Sequence, residues 1–130
     1  MTKPTENKQL INNDTEKTTY LVLFLISVVH LLNDSLQAVI PAMFPILEAS
    51  LNLTFTQLGL IAFSLNMVAS VMQPVIGMYT DKNPIPYALP IGLASSMFGM
   101  LGLALAPSFS WILISVIFIG LGSATFHPEG

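Results

Sequence analysis

Two titratable side chains inside a long apolar segment are the first candidates for chemistry in this sequence. His30 and Asp34 lie in the run 20–47, in which Asp34 is the single charged residue. Because a helix turns about 100° per residue, side chains four positions apart share one face and can interact. An imidazole takes up a proton near neutral pH, and a carboxyl beside it can exchange one. The pair could therefore carry a proton, or it could form a structural hydrogen-bonded network that locks this helix against its neighbours.

Two amides accompany this pair. Asn33 lies beside the stripe formed by His30 and Asp34, and Gln37 continues the stripe by one turn. A charged group at mid-bilayer costs about 3 kcal/mol or more, so this face is expected to turn toward the bundle interior or a water-filled cavity. We predict that Asn33 and Gln37 belong to a proton or substrate pathway, with interhelical hydrogen bonding as the alternative.

A second titratable pair, His127 and Glu129, flanks Pro128. Proline leaves backbone groups of the preceding turn without helix partners, and an irregular helix at membrane depth is tolerated where it lines a cavity. We predict that both side chains join the same pathway. The alternative is that Glu129 marks the cytoplasmic end of the last helix.

Composition places the chain in a membrane. Of 130 residues, 53% are hydrophobic and 8% are charged, whereas a soluble domain has roughly 25% charged residues. Four lysines, no arginine and a net charge of −3 argue against nucleic-acid binding, and the absence of cysteine excludes disulfides. Two histidines and two carboxylates could ligate a metal, but their spacing matches no metal motif, so we predict neither a metal site nor a cofactor.

The apolar residues occur in four blocks, which predicts an all-α membrane protein built as a polytopic helical bundle. The polar N-terminal residues 1–19 are expected to be a disordered cytoplasmic tail. Pro41 and Pro45 predict a kink or an early end in the first helix. The predicted transmembrane helices are residues 20–47, 56–79, 88–106 and 111–127.

The placement of lysine sets the orientation. Lys3, Lys8 and Lys17 precede the first helix, and Lys82 lies between the second and third. With four crossings these positions are on one side, which the positive-inside rule identifies as the cytoplasm. We therefore expect a multi-pass protein of the plasma membrane with a cytoplasmic N-terminus. The chain ends at a helix with no tail, which we interpret as the N-terminal part of a longer protein.

Small and amide residues recur at helical spacing in the second, third and fourth segments. Such faces allow helices to approach closely and to hydrogen-bond across the contact. We interpret them as helix-packing surfaces rather than as sites of chemistry. Their members are Asn66, Gln73, Gly92, Gly99, Gly120 and Gly122.

The connection after the second segment carries a possible gate. Gly77 permits close approach, and Asp81 followed by Lys82 can cap a helix or form an ion pair. The alternative is a solvated turn. Pro84 and Pro86 forbid a continuous helix here.

These motifs together resemble a known family. Gly77-Met-Tyr-Thr-Asp81-Lys82 resembles the Gly-x-x-x-Asp-Arg/Lys signature between the second and third helices of the major facilitator superfamily. Four stretches, in order, resemble its fosmidomycin-resistance branch: His30-Leu-Leu-Asn33-Asp34, Gln73-Pro74-Val-Ile-Gly77, Leu89-Pro90-Ile-Gly92 and Gly120-Leu-Gly122-Ser-Ala-Thr-Phe126-His127-Pro128-Glu129.

The resemblance implies a twelve-helix transporter of which this sequence is the first four helices. It also implies proton-coupled efflux of drugs or other small molecules, with protons, the lipid bilayer and the remaining helices as partners. Val116 stands where proton antiporters of the superfamily often have an arginine. This departure shifts the expected proton chemistry to Asp34, His127 and Glu129.

Three other interpretations remain open from the residues. The chain could be a complete four-helix small multidrug transporter that acts as a dimer, with Asp34 as the shared acid. It could be an intramembrane metalloenzyme that uses the histidines and carboxylates. It could also be a membrane fragment or assembly partner that transports nothing by itself.

Overall fold

The computed structural model describes the backbone of residues 4–129 and the side chains of Gln9 and of residues 12–127. Five helices follow one another: α1 (Pro4–Ala42), α2 (Phe44–Leu51), α3 (Phe55–Lys82), α4 (Ala88–Ala104) and α5 (Phe109–Glu129). There is no strand within residues 4–129. The predicted all-α helical bundle is confirmed.

Helix α1 has 39 residues and begins at Pro4, whereas the sequence predicted a disordered tail over residues 1–19. Proline is well suited to a first helical position, where its missing N–H has no intrahelical role. A helix already nucleated in the apolar segment extends at one hydrogen bond per added residue. Threonine hydroxyls also bond within the extension, since Thr18 donates to the Asp14 carbonyl at 2.9 Å.

The predicted first segment, 20–47, is divided between two helices. Pro41 lies in the last turn of α1, which ends at Ala42. The Met43 amide donates to both the Val39 and the Ile40 carbonyl oxygens, at 3.0 and 3.1 Å, so the final turn is tightened. Pro45 then occupies the first turn of α2, where proline is tolerated.

Asn52 and Thr54 fix the short connection, residues 52–54, between α2 and α3. Asn52 ends α2 in the left-handed conformation, with φ 52° and ψ 43°. Thr54 caps α3: its hydroxyl accepts a hydrogen bond from the Gln57 backbone N–H at 3.2 Å. The Gln57 side-chain oxygen accepts one from the Thr54 backbone N–H at 2.9 Å. This reciprocal capping box fixes the start of α3.

Among the described residues, three helices are long and apolar enough to cross a membrane, within Asn12–Ala42, Phe55–Lys82 and Phe109–His127. Helix α4 is also apolar but is shorter, with 17 residues. That length lies at the lower end of the roughly 17–25 residues that a spanning helix requires.

Helix α5 lies between α3 and α4 and contacts both along its length. The Ser95 hydroxyl of α4 donates to the Phe118 carbonyl at 2.8 Å, and the Trp111 indole donates to the Gly102 carbonyl at 3.0 Å. Val116, Ile119 and Ile112 are fully buried along this contact. Helix α1 contacts the other helices at fewer residues than α5 does. The candidate site lies at these contacts.

Candidate functional site

The exposed face of α1 carries the first titratable pair. His30 Nε2 lies 3.8 Å from Asp34 Oδ2, one helical turn apart. The side chains are 34% and 54% exposed, so neither is enclosed by the described helices. The carboxylate is therefore accessible from outside the described helices, at ion-pair distance from the imidazole nitrogen.

Helix α5 brings its C-terminal residues to this pair. The His127 ring lies 5.9 Å from the His30 ring, with the two planes inclined at 49°. The Phe126 ring meets His30 edge-on, at 5.9 Å and 89°. His127 of the second predicted pair therefore lies beside His30 of the first, and we call His30, Asp34 and His127 the titratable cluster.

A backbone contact orients the His127 ring. Its Nδ1 lies 3.2 Å from the Ser123 carbonyl oxygen, which can only accept a hydrogen bond. The proton of a neutral ring is thereby placed on Nδ1, and Nε2 remains available as a proton acceptor. Glu129, the other predicted member of this group, has a side chain that lies outside the described residues.

Asn33 points away from the exposed cluster and is fully buried at the junction of α1 with α4. Its Oδ1 accepts a hydrogen bond from Ser96 Oγ at 3.1 Å. Its Nδ2, like the buried Ser123 hydroxyl, has no partner among the described residues. This hydrogen bond joins α1 to α4 three residues along the chain from His30.

Gln37 lies one turn beyond Asp34 and lines a different feature, a cleft of about 340 Å³ between α1, α2 and α3. Asn66 lines the opposite wall. The Asn66 amide donates to its own helix, at the Ala62 carbonyl, at 2.8 Å. Asn66 was predicted as a helix-packing residue, but its side chain is exposed and contributes no interhelical hydrogen bond within the described chain.

The predicted gate lies within a helix. Gly77 is half-buried in α3, and Asp81 and Lys82 occupy the exposed last turn of that helix. Among the described residues neither Asp81 nor Lys82 has an ion-pair partner. The lysine stands at the C-terminal end of the helix dipole, where a positive charge is favourable.

The glycines lie where α5 meets its neighbours. A Cβ at Gly122 would collide with Ser96 Oγ and the Gly92 carbonyl, and one at Gly92 would collide with Thr125. A Cβ at Gly99 would lie 2.6 Å from the Ser115 carbonyl, and one at Gly120 would lie 3.0 Å from the Leu65 carbonyl on α3. Only glycine permits backbones to come this close. Gln73 is half-buried on α3.

Ser96 and Phe126 are site residues that the sequence did not identify. Ser96 is the hydrogen-bond partner of Asn33, and Phe126 covers one edge of His30. Ser96 follows Gly92 by four residues, and this spacing indicated only a packing surface. The Ser96 hydroxyl was the sequence feature that could have indicated this contact, because polar groups between membrane helices need a hydrogen-bond partner.

Among the described residues, no group of three or more His, Cys, Asp or Glu side chains is arranged to hold a metal ion. His30 instead makes two pairwise contacts, with Asp34 on its own helix and with the His127 ring on α5. Such features are typical of multi-pass membrane proteins with an ionisable path through the helices.

Comparison with protein families identifies the family of this chain. The family model described as Major Facilitator Superfamily matches residues 23–130, and this chain belongs to that superfamily. The resemblance that the motifs indicated is therefore confirmed.

Two curated relatives share 113 aligned residues with the chain. It is 73% identical to the uncharacterized MFS-type transporter YfnC of Bacillus subtilis (strain 168). It is 43% identical to the fosmidomycin resistance protein of Escherichia coli (strain K12). Each match covers 87% of this chain but 28% of the relative, so the chain spans little more than a quarter of their length. No solved structure matches it.

Proposed function

We propose that this chain forms the first helices of a twelve-helix secondary transporter that exports drug-like small molecules in exchange for protons. The superfamily match and the fosmidomycin resistance relative support this class, and fosmidomycin is the first substrate to test. The observation that carries the proton coupling is the contact of His30 with both Asp34 and His127. The protein would be a transporter rather than an enzyme.

The chemistry follows from the charges of the titratable cluster. With both rings neutral and Asp34 ionised, the cluster has a charge of −1. One proton on His30 makes the ring positive, and the ring then forms an ion pair with Asp34, whose Oδ2 lies 3.8 Å from His30 Nε2. A second proton, on His127, would place a positive charge 5.9 Å from the positively charged His30 ring. The repulsion between the two rings would push α5 away from α1. Proton loading would thus favour one arrangement of the helices over the other.

We further propose that the protein resides in the plasma membrane with its N-terminus in the cytoplasm. Three lysines precede the apolar part of α1, and Lys82 lies between α3 and α4. The other connections have no lysine, which agrees with the positive-inside rule. At about 1.5 Å per residue, the 39 residues of α1 exceed the bilayer core, so its polar start would extend into the cytoplasm.

The experiment is Asp34→Asn in the full-length transporter, reconstituted in vesicles with an imposed proton gradient. Asparagine keeps the size but cannot take up a proton. We expect gradient-driven fosmidomycin export to fall by roughly ten-fold or more, with normal membrane insertion. Ser35→Ala is the matched control, since Ser35 is the exposed neighbour whose hydroxyl bonds to its own helix at Leu31. Export at the wild-type rate by Asp34→Asn would contradict the proposal.

A further inference from the structure

A second polar feature lies next to the titratable cluster but has a different chemistry. The cleft between α1, α2 and α3 is lined by two amides, Gln37 and Asn66, and otherwise by apolar side chains. Among the side chains that the structure describes, no charged one lines it. A small cavity with apolar walls and a few polar groups from different walls is the usual form of a small-molecule site.

The free hydrogen-bonding groups of the two amides can be counted. Asn66 Nδ2 donates one of its two hydrogens to the Ala62 carbonyl, so Asn66 still offers its Oδ1 as an acceptor and one N–H as a donor. Gln37 makes no hydrogen bond to any described residue, so its side chain offers both a donor and an acceptor. The two amides therefore present two acceptors and two donor groups without net charge.

The apolar part of the cleft completes the description of a ligand. Phe44 of α2 forms one wall, and Ile40 and Leu65 form the buried floor. An aromatic or branched apolar group fits such a surface, whereas an anion would lose its hydration without gaining a counter-charge. The matching ligand is uncharged, with an apolar body and a polar group that both donates and accepts.

We propose that this cleft is a recognition site for the uncharged amide-like part of the transported molecule. The inference rests on the proposed transport function, because it assigns the cleft to the substrate. Gln37 follows Asp34 by three residues on the same face of α1, an axial step of about 4.5 Å. A molecule in the cleft therefore lies beside the groups that exchange the proton, which places substrate and proton close enough to affect each other.

The test uses the full-length transporter in lipid vesicles and two probes, 4-methylbenzamide and its anionic analogue 4-methylbenzoate. Equilibrium binding is measured without a proton gradient, and protein-free vesicles correct for partitioning into lipid. The wild-type protein should bind the amide roughly ten-fold or more tightly than the carboxylate, which the cleft cannot neutralise. Equal affinity for the two probes would overturn the proposal.

Substitutions of the two cleft amides test whether the amide probe binds in the cleft. Gln37→Leu and Asn66→Leu should each weaken amide binding by about five-fold, the value of one neutral hydrogen bond. Gln37→Asn withdraws the amide by one methylene with minimal change in packing, and it should weaken binding by a smaller factor. Gln73→Leu is the matched control, because this amide is on α3 but outside the cleft. An equal effect of Gln73→Leu, or none of Gln37→Leu and Asn66→Leu, would refute the assignment.

The same variants separate this inference from the proposed function. 4-Methylbenzamide should inhibit proton-driven export by the wild-type protein, and the inhibition constant should rise in the Gln37 and Asn66 variants by the same factor as Kd. Amide binding that depends on the cleft without any inhibition of export would exclude the cleft from the transport route. Absence of proton-driven export in the wild type would count against the proposed function, while the binding measurements would still decide the ligand class.

Discussion

The imidazole rings of His30 and His127 lie 5.9 Å apart across the contact between α1 and α5. They are separated by 97 positions in the chain (127 − 30), and the carboxylate of Asp34 lies 3.8 Å from the His30 ring nitrogen Nε2. One titratable group therefore lies on each side of the contact between α1 and α5. Under the proposed transport function, protonation at this contact would change how strongly the two helices repel each other.

If the two imidazoles act as a unit, their removal should be non-additive. His30→Gln and His127→Gln should each reduce gradient-driven export by the full-length transporter roughly ten-fold, and the double variant should be little worse than either. The measurement is the initial rate of export in reconstituted vesicles. Phe126→Leu removes the ring beside His30 without removing a titratable group, and it should retain most activity. Multiplicative losses in the double variant would indicate two independent residues.

The buried hydrogen bond between Ser96 and Asn33 should contribute to stability. Ser96→Ala leaves Asn33 Oδ1 unpaired beside an Nδ2 that already has no partner among the described residues. We expect a loss of about 1 kcal/mol in the free energy of unfolding, because polar contacts between membrane helices contribute about this much. Denaturant unfolding of the purified full-length protein measures it.

The matched variant is Asn33→Leu, alone and combined with Ser96→Ala. Leucine removes both amide groups at a similar volume, so the serine change should cost less in its presence. A coupling energy of about 0.5 kcal/mol or more is the expected result. A coupling energy of zero would show that the Asn33–Ser96 bond stabilises nothing.

The close approach of α4 and α5 depends on Gly122. In Gly122→Ala the added carbon would collide with Ser96 Oγ and the Gly92 carbonyl, both of which belong to α4. Forcing α4 and α5 apart should reduce stability by about 1–3 kcal/mol. Gly59→Ala is the control, because nothing lies within 4 Å of a Cβ at that position. It should be neutral or slightly stabilising, since alanine is the better helix former. Thermal unfolding of the two proteins compares them directly.

The capping box at the start of α3 gives a prediction outside the apolar bundle. Thr54→Ala removes the hydroxyl that accepts from the Gln57 amide at 3.2 Å. Loss of such a cap typically costs about 1 kcal/mol. Thr56→Ala, two residues later in the exposed first turn, removes no cap and should have little effect. Equal stability of the two variants would show that Thr54 does not fix this helix start.

Helical periodicity was enough to place His30 beside Asp34, because residues within one helix have a fixed angular spacing. Proline chemistry likewise predicted a kink or an early end near Pro41 and Pro45 within the segment 20–47, since the cause is the missing N–H of the residue itself. At the N-terminus a polar composition indicated a disordered tail over 1–19, whereas in the structure α1 begins at Pro4.

Sequence alone therefore determined the class of fold, the family and the faces on which the polar side chains lie. Only the tertiary structure decided which faces meet. The contact of His127 with His30, the burial of Asn33 against Ser96, and the pairing of Gln37 with Asn66 across one cleft all join separate helices. Those contacts depend on how closely glycine and serine surfaces let the helices approach, and that distance is a property of the assembled bundle rather than of any one segment.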